Sequence, residues 1–150
     1  MRLKRIIQAL LLAFVTVTLV VLVIENGRGT PGAAAEKRLP HQVIVFFFHD
    51  NNRCEACERI ERFSREAVES FPEAVKEGLL EWREVNRVWP ENEHYVRQFH
   101  LVTQTVVVAN LHDGRMTEWR TLDDVLNRHE NREAFLAYIQ EPIRAYLGGR

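Results

Sequence analysis

Apolar residues occur in two patterns along the chain, one uncharged block near the N-terminus and several shorter runs after residue 39. The block covers residues 6–24, and a helix of about 20 predominantly apolar residues is long enough to cross a bilayer. Residues 1–5 include basic side chains, and residues 25–38 are rich in Gly and Ala. The pattern therefore predicts a basic cytoplasmic tip, a transmembrane anchor or signal segment, and a flexible linker, in that order.

The apolar block permits two interpretations. The apolar region of a signal peptide usually covers about 7–15 residues, which favours a retained anchor over a cleaved signal. The alanines at positions 33–35 nevertheless form a small-residue pattern that is typical of cleavage sites. Under both interpretations the positive charge stays in the cytoplasm, so the following domain is expected on the extracytoplasmic (periplasmic) side. A retained anchor would make the chain a single-pass protein of the cell membrane.

After the linker, the apolar pattern predicts a domain over residues 39–150. Residues 41–48 form a continuous apolar and β-branched run, which is typical of a central strand buried on both faces. Three- and four-residue apolar spacing then predicts an amphipathic helix that begins near Cys54 and ends before Pro72. The remaining predicted elements are a helical turn ending at Gly78, a strand over 79–88, a helix over 91–99, a strand over 105–109, a turn at Asp113-Gly114, a strand over 116–120, a helical turn over 122–126 and a last helix from Asn131 that Pro142 kinks or splits.

The order of these elements, β-α-β-α-β-β-α, predicts the class and topology of the domain. The first two connections run through helices, so the first three strands are expected to be parallel. The hairpin then adds one antiparallel strand at an edge of the sheet. The expected architecture is α/β, with a mixed four-stranded sheet flanked by helices and preceded by one transmembrane helix.

Composition supports a folded domain and narrows its partners. The 150 residues are 46% hydrophobic and 27% charged, which is ordinary for a globular protein. Basic and acidic residues number 20 and 21, and some of the basic ones precede the apolar block. Because nucleic-acid binding needs a clustered basic face, no nucleic-acid partner is expected.

The two cysteines of the chain form a Cys-Glu-Ala-Cys motif at Cys54 and Cys57, between the buried strand and the first helix. The positive end of a helix dipole lowers the pKa of a thiol at its N-terminus, so Cys54 is the predicted nucleophile. Cys57 lies one turn further along and is the predicted resolving thiol, which attacks a mixed disulfide and releases the product. The motif favours a thiol–disulfide oxidoreductase that needs no cofactor.

Three other functions stay open for the same residues. A structural disulfide suits an oxidising compartment, although so short a loop stabilises the fold little. The two thiols, with His49 or His41, could bind or deliver copper or zinc. No second CxxC motif or histidine pair completes a tetrahedral set, and no metal ligands are assigned. Finally, the domain could be a non-catalytic interaction module.

Polar residues around the motif are candidates for tuning the thiolate or shaping access to it. Arg53 adjoins Cys54 and its charge favours a thiolate, whereas the carboxylate of Glu55 opposes one. His49, a residue type that titrates near neutrality, is the candidate general base. Asp50 and the asparagines that follow it either line the entrance to the dithiol or serve as a turn and helix cap.

Four segments, in order, resemble the thioredoxin family: VIVFFFHDNNRCEAC, LEWREVNRVWPENEHYVRQFHLV, TQTVVVANLHDGR and the C-terminal helix. More narrowly, FFFHDNNRCEACERIE with PENEHYV resembles the small thioredoxin-like proteins catalogued as a nitrophenyl-compound nitroreductase subunit family. The resemblance covers residues 41–147. It implies a thioredoxin-like fold and protein or small-molecule disulfides or thiols as substrates, and a membrane electron donor or acceptor could be the redox partner.

The sequence departs from the thioredoxin pattern where substrates and protons are handled. The family has a cis-proline before the third strand, and this chain has Gln104 there, after Thr103. A cis bond before a non-proline residue costs roughly 2.5–4 kcal/mol, so a trans bond is expected, and the two residues are candidates for shaping access. The buried acid of the family has no match in the apolar first strand. His49 or Asp50 could replace it only if the loop turns inward.

Overall fold

The computed structural model describes residues 40–149, which form one sheet and the helices around it. The predicted order of strands and main helices is confirmed, and a short helix lies at or close to each of the two predicted helical turns. The elements are β1 (His41–His49), α1 (Glu55–Glu69), α2 (Pro72–Lys76), β2 (Leu80–Asn86), a 3₁₀ turn (Pro90–Asn92), α3 (Glu93–Phe99), β3 (Thr105–His112), β4 (Arg115–Leu122), α4 (Val125–Arg128) and α5 (Arg132–Gly148).

The four strands lie in the order β2-β1-β3-β4. Strand β1 pairs in parallel with β2 and antiparallel with β3, and β3 pairs antiparallel with the edge strand β4. A mixed four-stranded sheet with flanking helices fits a thioredoxin-like α/β fold. The predicted antiparallel hairpin at an edge of the sheet is confirmed.

The prediction that β3 runs parallel to the first two strands is wrong. In the register of the sheet, His49 is opposite Asn86, and Phe48 is opposite Thr105. Strand β2 therefore ends at the same end of the sheet at which β3 begins. The connecting helix α3 has seven residues, about 10 Å at 1.5 Å per residue, whereas a strand of eight residues is about 27 Å long. The connection returns to the edge it left, so β3 runs in the opposite direction.

Strand β1 is the centre of the domain, and its residues 43–48 are at most 2% exposed. Successive strand residues point to opposite faces, so β1 contributes to two apolar clusters. The first cluster lies between the sheet and helices α1 and α5, and the second lies between the sheet and α3. Their main members are Val43, Val45, Phe47, Ile60, Phe63, Phe135 and Ile139 in the first, and Ile44, Phe46, Phe48, Val107 and Phe99 in the second. The predicted burial of this strand on both faces is confirmed.

The hairpin between β3 and β4 turns at Asp113 and Gly114, as the Asp-Gly signal predicts. Their φ angles are 51° and 74°. Two-residue hairpins of the type that matches strand twist require positive φ at both turn residues, which Gly and Asp adopt more readily than most other residues. The turn thus fixes β4 as the edge strand beside β3.

Helix α5 contains Pro142 without interruption, so of the two predicted outcomes, a kink or a split, the split does not occur. Proline lacks a backbone N–H and crowds the preceding turn, which usually ends a helix. Here Pro142 and Ile143 are buried, and Ile139, one turn earlier, is buried as well. The contacts of this apolar face with the core offset the missing hydrogen bond.

The predicted cytoplasmic tip (residues 1–5), membrane segment (6–24) and linker (25–38) lie outside the described residues. Within residues 40–149, no helix has both the length and the apolar character that crossing a bilayer requires.

Candidate redox site

Cys54 and Cys57 form a disulfide at the start of helix α1, with their Cα atoms 5.0 Å apart. Cys54 is exposed and is the N-cap residue of the helix. Cys57 lies one turn further along and is 3% exposed. One sulfur of the pair is therefore open to a partner molecule, and the other is covered by the domain.

The backbone around the disulfide directs N–H groups at both sulfurs. The N–H of Cys57 donates to Cys54 Sγ at 3.3 Å, and the N–H of Cys54 donates to Cys57 Sγ at 3.1 Å. Unpaired N–H groups and the positive end of the dipole at a helix N-terminus favour a thiolate over a thiol. In the reduced state this position stabilises negative charge on Cys54.

His49 ends strand β1 directly before the dithiol loop, which we define as residues 50–54. Its side chain is 12% exposed. Nδ1 lies 2.8 Å from the carbonyl oxygen of Asp50, and Nε2 lies 3.1 Å from Glu84 Oε1. Both ring nitrogens therefore contact oxygen atoms of the loop and of β2.

Asp50 turns towards strand β2 and not towards the cysteines. Its carboxylate forms a two-point ion pair with Arg87, with Oδ2 2.9 Å from Nη2 and Oδ1 2.5 Å from Nε. The N–H of Arg87 also donates to the carbonyl oxygen of His49 at 2.9 Å. Asp50 thus fastens the beginning of the dithiol loop to the end of β2.

The two charged residues that flank Cys54 have different surroundings. Arg53 donates from Nη1 to Glu84 Oε1 at 2.8 Å, and its Nη2 pairs with Glu61 of α1. Its positive charge is therefore compensated by two carboxylates. Glu55 has an 85% exposed side chain and pairs with Arg59 one turn along the helix, 3.1 Å away.

Thr103 and Gln104 lie at the edge of the sheet that carries the dithiol loop. They directly precede Thr105, which is opposite Phe48 in the register of β1 and β3. Thr103 is exposed and Gln104 is half-buried. The peptide bonds of residues 40–149 are all trans, so the expected trans bond before Gln104 is confirmed.

Sequence reasoning missed four residues that hold the dithiol loop: Glu61, Glu84, Asn86 and Arg87. Asn86 is 8% exposed and donates from Nδ2 to Asn51 Oδ1 at 2.7 Å. Glu84 and Asn86 lie at the end of β2 and Arg87 directly follows it. Their side chains reach His49 and the dithiol loop in the register that aligns His49 with Asn86. The polar residues at the end of β2 could have indicated these contacts. The sequence alone does not show which residues of β1 and β2 lie opposite each other.

Histidine, cysteine and acidic side chains are the residues that could form a metal site beside the dithiol. Within residues 40–149, no group of three or more of them is arranged to hold a metal ion.

The fold and the site together support one general class of protein. A thioredoxin-like α/β domain with a CxxC pair at disulfide distance, at a helix N-terminus, supports a thiol–disulfide oxidoreductase in general.

No protein-family model matches the sequence, and no curated protein matches it. Solved structures include three similar ones. A thioredoxin from Trypanosoma brucei brucei is 16% identical, with a TM-score of 0.40, over 69% of this chain and 76% of its own. Fasciola hepatica thioredoxin is 17% identical, with a TM-score of 0.37, over 65% and 81%. A malarial protein is 17% identical, with a TM-score of 0.40, over 67% and 96%. The narrower resemblance to the nitroreductase subunit family stays a prediction.

Proposed function

We propose that this protein is an exported, membrane-anchored thiol–disulfide oxidoreductase in which Cys54 is the nucleophile and Cys57 is the resolving thiol. The observation that carries the proposal is the contrast between the two sulfurs. Cys54 is exposed at the N-cap of α1, whereas Cys57 is 3% exposed one turn inside. A substrate disulfide can approach the first sulfur, and the second is close enough to displace the substrate afterwards.

The reaction transfers two electrons through a mixed disulfide. The Cys54 thiolate attacks one sulfur of the substrate disulfide, the substrate S–S bond breaks, and the departing thiolate takes a proton from water. The Cys57 thiol then gives its proton to water, and the resulting thiolate attacks Cys54 Sγ. The bond between Cys54 and the substrate breaks, and the second departing thiolate takes a proton from water. The substrate has gained two electrons and two protons, and the Cys54–Cys57 disulfide has formed. The same steps in reverse oxidise a dithiol.

The substrates we propose are protein or small-molecule disulfides or thiols, and a membrane electron donor or acceptor is the proposed redox partner. A substrate would reach Cys54 at the end of the sheet where the dithiol loop, Thr103 and Gln104 lie. Val102, directly before them, is 88% exposed and offers an apolar contact at this edge. The resemblance to the nitrophenyl-compound nitroreductase subunit family supports the fold and the dithiol in this proposal. It does not indicate a particular substrate.

A redox titration of the full-length protein in defined glutathione buffers tests the proposal. We expect one reversible two-electron transition at a potential in the range of about −120 to −270 mV, the range of exchange proteins. The fractions of dithiol and disulfide are measured by thiol trapping and mass. Added copper or zinc should leave the transition unchanged. A dithiol that holds metal stoichiometrically and resists titration would instead favour a metal-binding module, and one that never exchanges with glutathione would favour a structural disulfide.

Export and anchoring rest on the uncharged block at residues 6–24 and on the basic residues before it. Alkaline phosphatase fused after residue 150 should be active, because the enzyme acquires its own disulfides outside the cytoplasm. The fusion should also stay in the membrane fraction after an alkaline carbonate wash. Deleting residues 6–24 is the matched control and should abolish phosphatase activity. An inactive full-length fusion would contradict export, and release by carbonate would contradict the retained anchor.

A further inference from the structure

The dithiol loop contacts the end of strand β2 and the residue directly after it at three points. Asp50 pairs with Arg87, Asn51 accepts from Asn86, and Arg53 pairs with Glu84. The last of these contacts involves the residue directly before Cys54. The residues at the end of β2 therefore determine where the dithiol loop places the charged side chains of Asp50 and Arg53.

Glu84 is the charged group through which this arrangement acts on the dithiol. One of its oxygens, Oε1, accepts from Arg53 Nη1 at 2.8 Å and lies 3.1 Å from His49 Nε2. The other terminal nitrogen of Arg53 pairs with Glu61. The guanidinium is thus held between two carboxylates of β2 and α1.

We propose that Glu84 is a positioning residue that keeps the dithiol more reducing, by holding and compensating the charge of Arg53 beside Cys54. The inference rests on the proposed function. A positive charge near Cys54 stabilises its thiolate and so stabilises the reduced form of the pair, which makes the pair more oxidising. A carboxylate that compensates this charge has the opposite effect.

Four variants of the full-length protein separate the charges. Glu84→Gln removes the negative charge and should shift the equilibrium with glutathione towards the dithiol by about two- to fivefold, the effect expected of one partly screened charge. Arg53→Met should shift it towards the disulfide by a similar factor. The double variant removes a compensated pair and should return close to wild type.

Glu81→Gln is the matched control, since it makes the same change in net charge on the same strand. Glu81 and Glu84 side chains are both 36% exposed, and Glu81 also pairs with an arginine, Arg83, with Nε 2.5 Å from Oε1. Glu81, however, is opposite Ile44, far from the end of β1 that leads to the dithiol. The control should leave the equilibrium constant within about 1.5-fold of wild type, because distant exposed charges are screened.

The equilibrium constant is measured by thiol trapping, and the alkylation rate of Cys54 at fixed pH reports its thiolate. An equilibrium constant of Glu84→Gln equal to that of wild type would overturn the inference. A double variant whose equilibrium constant differs from wild type as much as that of Glu84→Gln would overturn it as well. If Glu84→Gln fails to fold, Glu61→Gln removes the other carboxylate on Arg53 and must show the same shift. A wild-type dithiol that never equilibrates with glutathione would overturn the proposed function itself, which is a different result.

Discussion

Replacing Cys54 by serine should lower thiol–disulfide exchange by at least about a thousandfold, to the rate of the uncatalysed reaction, since losing a nucleophile usually removes most of the catalytic effect. Serine keeps the N-cap geometry, because its hydroxyl also accepts a hydrogen bond from the first helical turn. The fold should therefore survive while the reacting sulfur is lost. The measurement is the reduction rate of a small disulfide by the reduced protein, followed by thiol release.

Cys57→Ser is the matched variant and should behave differently. Its exposed Cys54 can still attack, but no second thiol releases the product. The variant should accumulate a mixed disulfide with the substrate, visible as an added mass on one cysteine, whereas Cys54→Ser should accumulate far less. Full exchange activity in Cys54→Ser would contradict the assigned order of the two sulfurs. Equal mixed-disulfide formation by both variants would contradict it as well.

The chemistry of the site was predictable from sequence because it is local. Two cysteines three residues apart, between an apolar run and an amphipathic pattern, place one sulfur at a helix N-terminus in any such fold. The surroundings were not predictable in the same way. Arg53 was expected to act on Cys54, and the structure pairs it with Glu61 and Glu84. Glu84 comes from another strand, so its place depends on a register that side-chain alternation alone does not set.

The fold shows the same division between local and non-local information. Continuous apolar residues predicted that β1 is buried on both faces, and Asp113-Gly114 predicted the hairpin. The direction of β3 was predicted wrongly because a strand–helix–strand pattern usually means a parallel pair. The direction of β3 depends on the end of the sheet to which the connection between β2 and β3 returns. That end is set by the packing of Phe99 of α3 against Phe46 and Phe48. The spacing of apolar residues predicts helix α3, but it does not show at which end of the sheet β3 begins.

Phe47→Ala should reduce the free energy of unfolding by about 3–5 kcal/mol, the usual loss for truncating a buried aromatic residue. Phe47 is 0% exposed and belongs to the cluster between the sheet and helices α1 and α5. Its ring also stacks on His49, with centroids 5.7 Å apart. The truncation therefore leaves a cavity under the strand that leads directly into the dithiol loop. Urea unfolding of the full-length protein, followed by fluorescence, measures the loss.

Two further variants keep this prediction testable, because domains are stable by only about 5–15 kcal/mol and Phe47→Ala could prevent folding. Phe47→Leu keeps most of the volume and should cost about 1 kcal/mol. Val102→Ala is the matched control at an 88% exposed apolar residue and should change stability by less than about 0.5 kcal/mol. If Phe47→Ala lost no more than the control, the cluster beside α1 would not be what holds β1 in place. The position of Cys54 would then depend on the second apolar cluster, on the strand pairing of β1 and on the polar contacts with the end of β2.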